Sequence, residues 1–159
     1  MKLNLPLTYG PKIEAVKKGD CFQTIRELNQ ERPKTLEDKI RFHTWVNRPY
    51  RSKWDWRSPL LDLTEILRIM HDPFNGWNWA SLRECNHSGL FFHHAESRIN
   101  NLELLRLAQM DHVYYKSEET FTDIFEVIHP HMRYSCVGFE VLRWNPKPIL
   151  ITLIKEDKQ

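Results

Sequence analysis

A chain of 159 residues with 41% hydrophobic and 28% charged side chains has the balance of one globular domain and excludes a disordered or low-complexity chain. A formal net charge of +2 and a pI near 8.4 exclude an argument for a polyanionic partner from bulk charge, so electrostatics must be read from local clusters. The longest apolar stretch, Ile149 to Ile154, is broken by Thr152 and falls far short of the ~20 residues that span a bilayer. The opening Met1-Lys2-Leu3-Asn4-Leu5-Pro6 carries no signal-peptide pattern, and Cys21, Cys85 and Cys136 show no Cys-x-x-Cys spacing, which together predict a cytoplasmic, reduced setting.

In chain order, Leu3, Leu5 and Leu7 alternate with polar or turn residues and predict a short strand. Pro11 suits a first helical position, Ile13 and Val16 share a face, and Gly19 stands as a C-terminal stop. Phe22 to Arg26 predicts a second strand. Residues 27–37, with three acids, two cations and Pro33, read as an exposed connection. Lys39 to Val46 alternates Ile40 and Phe42 with Arg41 and His43, a half-buried strand. Leu60 to Met70 places Leu60, Leu63, Leu67 and Met70 on one helical face, with Ser58 as cap and Pro59 as opener, and predicts a helix. Residues 71–100 hold two Trp, three Phe and four of the eight His without a clean period, and read as an irregular insertion. From Asn101 the pattern is helical, with Leu102, Leu105 and Ala108 or Gln109 a turn apart. Ser117 to His129 predicts the clearest helix: Ser117 caps it, Glu118 and Glu119 suit its dipole, and Phe121, Ile124, Phe125 and Ile128 form its apolar stripe before Pro130. Val137 to Trp144 and Ile149 to Ile154 predict two closing strands, joined by Asn145-Pro146-Lys147-Pro148. Strands at both ends with helices between them give an α+β domain, a mixed sheet curled into a small barrel with flanking helices, over residues 1–159.

Gly19-Asp20-Cys21-Phe22-Gln23-Thr24-Ile25-Arg26 resembles the ASCH-domain signature G-x-K-x-x-E-x-R at Gly19 and Arg26. Thr24 replaces its acid, as in the acetylcytidine amidohydrolase branch, whose version ends Thr-Ile-Arg. Asp38-Lys39-Ile40-Arg41-Phe42, Met110-Asp111 with Ser117-Glu118-Glu119-Thr120-Phe121, and Val137-Gly138-Phe139-Glu140-Val141 are similar to later motifs of that family. The resemblance leaves out residues 44–59 and 71–100, which read as insertions. It implies a PUA-like barrel with an RNA-facing cleft lined by the signature. In the amidohydrolase branch the signature Lys and Thr act with a downstream Glu. Here Thr24 is kept, Cys21 stands where the Lys belongs, and Glu118 and Glu119 are the candidates for the acid. An unactivated thiol replaces neither the charge nor the base of a lysine. Lys17 and Lys18 sit at a helix end and are no assured substitute.

Four groups of residues carry candidate chemistry. Arg26, Lys39 and Arg41 suit phosphate pairing, or are solvated strand positions. Residues 45–57 interleave Arg48, Arg51, Lys53 and Arg57 with Trp45, Tyr50, Trp54 and Trp56 against one acid, Asp55. That composition suits stacking on unpaired bases, with Arg48, Tyr50, Arg51, Lys53 and Trp54 as the contacts, or a hairpin whose Trp side chains pack on the core. Cys85, His87, His93 and His94, with His71 upstream, lack the paired spacing of zinc ligands, so no metal or other cofactor is expected. Cys21 reads as a buried thiol rather than a nucleophile. The leading expectation is a nucleic-acid-binding module, RNA before DNA, with a basic cleft. The alternatives are an amidohydrolase on acylated cytidine-type nucleosides or a ribonuclease, with Thr24 and Cys21 as catalytic candidates. A third is a protein-interaction module of a phage or mobile element, docking through exposed aromatics of residues 71–100.

Overall fold

The computed structural model describes residues 1–47, 51–85, 88–112 and 118–145; the side chains of residues 118–120 fall outside that description. The expected strand Ile149–Ile154, most of the turn before it, Ser117, Arg48, Tyr50 and His87 lie outside the described residues.

The architecture is α+β, with an eight-stranded mixed sheet and three helices. Strand β1 (Lys2–Pro6) runs parallel to β3 (Lys39–Trp45), with helix α1 (Gly10–Lys18) and β2 (Gln23–Glu27) between them in sequence. β4 (Trp54–Arg57) folds back on the end of β3, so part of the expected insertion at 44–59 is a hairpin of the sheet. β5 (Leu61–Asp72) pairs with β3 at its start and with β6 (Gly76–Glu84) at its end. It also pairs along most of its length with β8 (Val137–Trp144), which pairs on its other edge with β2. β7 (Phe91–Arg98) pairs with β6, while α2 (Asn101–Met110) and α3 (Glu118–Ile128) lie between β7 and β8 in the chain.

Helix α1 forms as its residues dictate. Pro11 opens it, and Gly19 closes it at φ 79°, a left-handed backbone that lets its N–H reach the carbonyls of Ala15 and Val16. In α2, Asn100 caps the first turn by accepting from the Glu103 amide. Its buried face is Leu104, Leu107 and Ala108, while Leu102 is exposed, so the expected stripe is rotated.

Two expectations are corrected. The helix expected over Leu60 to Met70 is β5. Its chain is apolar on both faces, because Ile66 packs on one core cluster and Leu67 and Ile69 on another, and a shift in pairing between Leu63 and Glu65 breaks the alternation. Ile66 and Leu67 side by side thus imitate helical spacing. Ser58 caps no helix; fully buried, its hydroxyl accepts from the Phe42 amide at 2.9 Å and donates to the Pro59 carbonyl at 2.8 Å. The segment 71–100, expected to be irregular, is the β6–β7 hairpin. Its pairing shifts between Trp79 and Ala80, and β7 is mostly exposed, so no clean period survives in the sequence.

Two core clusters sit on the sheet. One gathers Val16, Cys21, Ile40, Phe42, Trp56, Leu142 and Trp144; the other gathers Ile69, Trp77, Leu104, Phe121, Phe125, Met132, Phe139 and Val141. β8 supplies both, which is why it reads as a nearly continuous apolar run. Glu140 interrupts that run, wholly buried, and is held by Lys34 at 3.4 Å and Arg68 at 3.3 Å.

Candidate active site

Helix α1 presents Lys12, Ala15 and Val16 on its buried face. A lysine on that stripe must find a partner, because an unpaired buried ammonium is costly. Lys12 finds two. Its Nζ lies 2.8 Å from Asp111 Oδ2 and donates to Thr24 Oγ1 at 3.2 Å. Thr24 Oγ1 also accepts from Arg26 Nε at 3.2 Å, and Arg26 Nη2 is anchored on the Pro6 carbonyl at 2.8 Å. Thr24 is 1% exposed, Asp111 5% and Lys12 7%.

Asp111, just beyond α2, is placed by ties between that helix end and the signature strand. Gln23, fully buried in β2, donates to the Leu107 carbonyl at 2.9 Å, and Arg143 holds its other amide atom at 3.0 Å. His112, at φ 54°, meets the Asp20 carbonyl at 2.9 Å. Asp111 Oδ1 is buried with no hydrogen-bond partner among the described residues.

These groups border a cavity of about 430 Å³. Lys12, Thr24, Arg26, Asp111, Glu27 and His129 make its polar part; Leu7, Tyr9, Ile25, Ile124, Phe125 and Ile128 make its apolar part. The apolar stripe of α3 is therefore divided: Phe121 and Phe125 are buried in the core, Phe125 with an edge on the cavity, while Ile124 and Ile128 serve the cavity wall. Enclosed apolar surface with a few convergent polar groups is the usual form of a small-molecule site.

The structure sorts the sequence candidates. Thr24 and Arg26 reach the cavity. Cys21 does not line it: the side chain is fully buried in the first cluster, its thiol faces the Gln23 carbonyl at 3.3 Å, and burial pushes its pKa up despite the opposing charge of Lys12. Lys39 lies on the surface, 3.4 Å from exposed Asp62, and Arg41 is half-buried; neither lines the cavity. Arg51 and Lys53 are exposed. Trp54, 41% exposed, stacks on His43 with centroids 4.4 Å apart, and Trp45 meets the His43 ring edge-on at 5.0 Å. Burial, and then the charge of Arg26, hold His43 below the usual histidine range. Trp56 instead belongs to the core, under Lys17 Nζ at 5.3 Å from the ring centroid. His93 and His94 are successive strand residues and so point to opposite faces. His93 Nδ1 is bound to the Ile69 carbonyl at 2.8 Å, so the pair cannot share one ion. Among the aromatics of 71–100, Phe74 is 94% exposed and Trp77 1%.

Lys12 and Asp111 were not singled out as site residues by sequence reasoning. The signal for Lys12 was there: it lies three and four residues before Ala15 and Val16, on the face that must be buried. Asp111 lay in the Met110-Asp111 motif, but nothing in the sequence tied it to Lys12, 99 residues away.

Comparison with known proteins finds no matching family model, and no significant match among curated proteins or solved structures.

Proposed function

We propose that this chain is a hydrolase that removes an acyl group from the amino group of a nucleoside-sized ligand, with Thr24, Lys12 and Asp111 as its working residues and Arg26 as the charge beside them. The observation that carries the reading is Thr24 Oγ1, which receives a hydrogen bond from both Lys12 and Arg26 at the wall of a half-open cavity. With both lone pairs accepting, the hydroxyl proton is left to point elsewhere, and the alkoxide formed on its removal is stabilised by two cations.

For Oγ1 to attack the acyl carbon, Lys12 first passes one proton to Asp111, which stands 2.8 Å away, and the hydroxyl turns to donate to the free amine; taking the Thr24 proton makes Lys12 an ammonium again beside the alkoxide. The carbon–nitrogen bond breaks, the leaving amine receives that proton from Lys12, and water cleaves the resulting ester to release a carboxylic acid. The resemblance to the ASCH amidohydrolase branch supports the same reading: its lysine is missing at Cys21, and Lys12 brings an ammonium to Thr24 from helix α1. The two sheet sections joined through β5 are compatible with the PUA-like barrel that this resemblance implies.

The test is release of cytidine from N4-acetylcytidine. Wild-type turnover, with Thr24→Val reducing kcat by at least about 10³-fold, supports the nucleophile. Absence of turnover by correctly folded wild type overturns the proposal.

A second reading, an RNA-binding module, is favoured by Trp54, exposed and stacked on buried His43, with exposed Arg51 and Lys53 close to it in the chain. It predicts saturable binding of short single-stranded RNA that falls with salt and is weakened by Trp54→Ala by about 1–3 kcal/mol. Fluorescence anisotropy over a salt series distinguishes the two; flat traces remove this reading.

A further inference from the structure

The chain turn after α3 carries His129-Pro130-His131, and Pro130–Arg133 form a single 3-10 turn. Across from it, Glu27 ends strand β2. Both imidazoles face this one carboxylate: His129 Nδ1 is 3.1 Å from Glu27 Oε2, and His131 Nε2 is 2.7 Å from Glu27 Oε1. One ligand atom from each of the three residues lies within 4.8 Å of the other two. We propose that Glu27, His129 and His131 form a binding site for a divalent cation of the zinc class.

The chemistry of the set fits. Two imidazole nitrogens and one carboxylate oxygen are the donors that zinc and neighbouring late first-row divalent ions take, and three protein ligands leave a coordination position open. Bonds of ~2.0–2.1 Å arranged tetrahedrally put ligand atoms ~3.3 Å apart. The two nitrogen–oxygen separations here, 3.1 and 2.7 Å, run to different oxygens of Glu27, and the three ligand atoms lie within 4.8 Å of one another, so an ion replaces both contacts and draws the widest-spaced atoms together by up to about 1.5 Å. The site is also reachable from solvent, since the Glu27 side chain is 39% exposed and that of His131 50%. The guanidinium of Arg26, next to Glu27 in β2, is turned to Thr24 and the Pro6 carbonyl.

The position gives the site a use. Glu27 and His129 line the cavity that holds Thr24, and Glu27 and His131 also line a second cavity of about 590 Å³ on the side of Leu28, Met70 and Phe92. An ion on Glu27 stands at the wall the two cavities share. There its open position takes a water or an anionic group of a ligand. The inference goes beyond the hydrolase reading and stands without it, because ion binding is measured with no substrate present.

The experiment is calorimetric titration of chelator-stripped protein with Zn²⁺ alone, repeated with Co²⁺ followed by its visible absorption. One equivalent of each ion, with a tetrahedral or five-coordinate Co²⁺ spectrum, is expected. Loss of an outer-shell partner already weakens metal sites ~10–100-fold, so His131→Ala and Glu27→Gln are each expected to weaken Zn²⁺ by at least about 100-fold. The double variant Cys85→Ser/His94→Ala is expected to bind as wild type does. Near-ultraviolet circular dichroism verifies that each variant is folded. No binding by wild type overturns the proposal, and so does binding that survives His131→Ala but is lost with Cys85 and His94.

Discussion

A buried ammonium, a buried carboxylate and a buried hydroxyl meet at Lys12, Asp111 and Thr24, and their energetics are coupled. Removing one member of a buried ion pair strands the other, which typically destabilises by ~3–5 kcal/mol, whereas replacing both by apolar groups of similar volume is far less harmful. Lys12→Met is therefore expected to lower unfolding free energy by about 3–5 kcal/mol, and Lys12→Met/Asp111→Leu to recover much of the loss; urea denaturation of both variants checks this. Additive losses in the double variant would show that the two residues are not a pair. At Gly138 the constraint is steric. A Cβ there would stand 2.3 Å from His93 Nδ1 and 2.7 Å from Cγ, inside any real contact distance. His93 cannot swing away without giving up its bond to the Ile69 carbonyl. Gly138→Ala is expected to destabilise by about 1–3 kcal/mol, read as a lower thermal midpoint, and His93→Ala in the same chain to relieve part of it.

Among the elements, β5 decides most. It bridges β3, β6 and β8 and feeds both core clusters, so the sheet depends on its pairing rather than on any local preference of its residues. Ser58, just before it, satisfies the amide of Phe42 in the middle of β3. Ser58→Ala leaves that buried amide without its partner and is expected to destabilise by about 1–3 kcal/mol, measured by chemical denaturation. A change within ±0.5 kcal/mol would mean that a water replaces the hydroxyl. Helix α3 shows how much an element's own sequence settles: its stripe was readable as amphipathic, but the split between core residues Phe121 and Phe125 and cavity residues Ile124 and Ile128 depends on what packs against each.

For the whole molecule, four histidines share one direction of shift. Burial, the largest cause in each, depresses the pKa of His43, His71, His93 and His129, that of His93 to about 4. A histidine kept neutral by the fold binds its proton more readily when unfolded, so the unfolded state gains protons first on acidification. Stability is therefore complete above the ordinary histidine value of ~6.5 and is lost as pH falls towards about 4. Unfolding free energies from urea denaturation at pH 7.5 and 5 are expected to differ by an amount on the order of 2 kcal/mol, with His93→Gln reducing the difference. Equal free energies would contradict burial of these rings.

By itself the sequence determined several local elements: α1 between Pro11 and Gly19, the strands expected at 22–26, 39–46 and 137–144 to within a residue, and the helix from Asn101. These depend on contacts within a turn or on alternation over a few residues, which the chain states directly. Thr24 and Arg26 were legible as candidates because a short contiguous motif carries them, and the structure brings both to the cavity wall. What the sequence could not state is what lies across space. The two-sided burial of β5 hid its strand period, the bulged β6–β7 hairpin, with β7 mostly exposed, had none to show, and the ammonium that meets Thr24 comes from helix α1, twelve residues earlier in the chain. Asp111 joins Lys12 from 99 residues away, and Glu27 meets His129 and His131 from more than 100 away. Such encounters are fixed by which faces the sheet and helices bury together, and only the tertiary structure decided them.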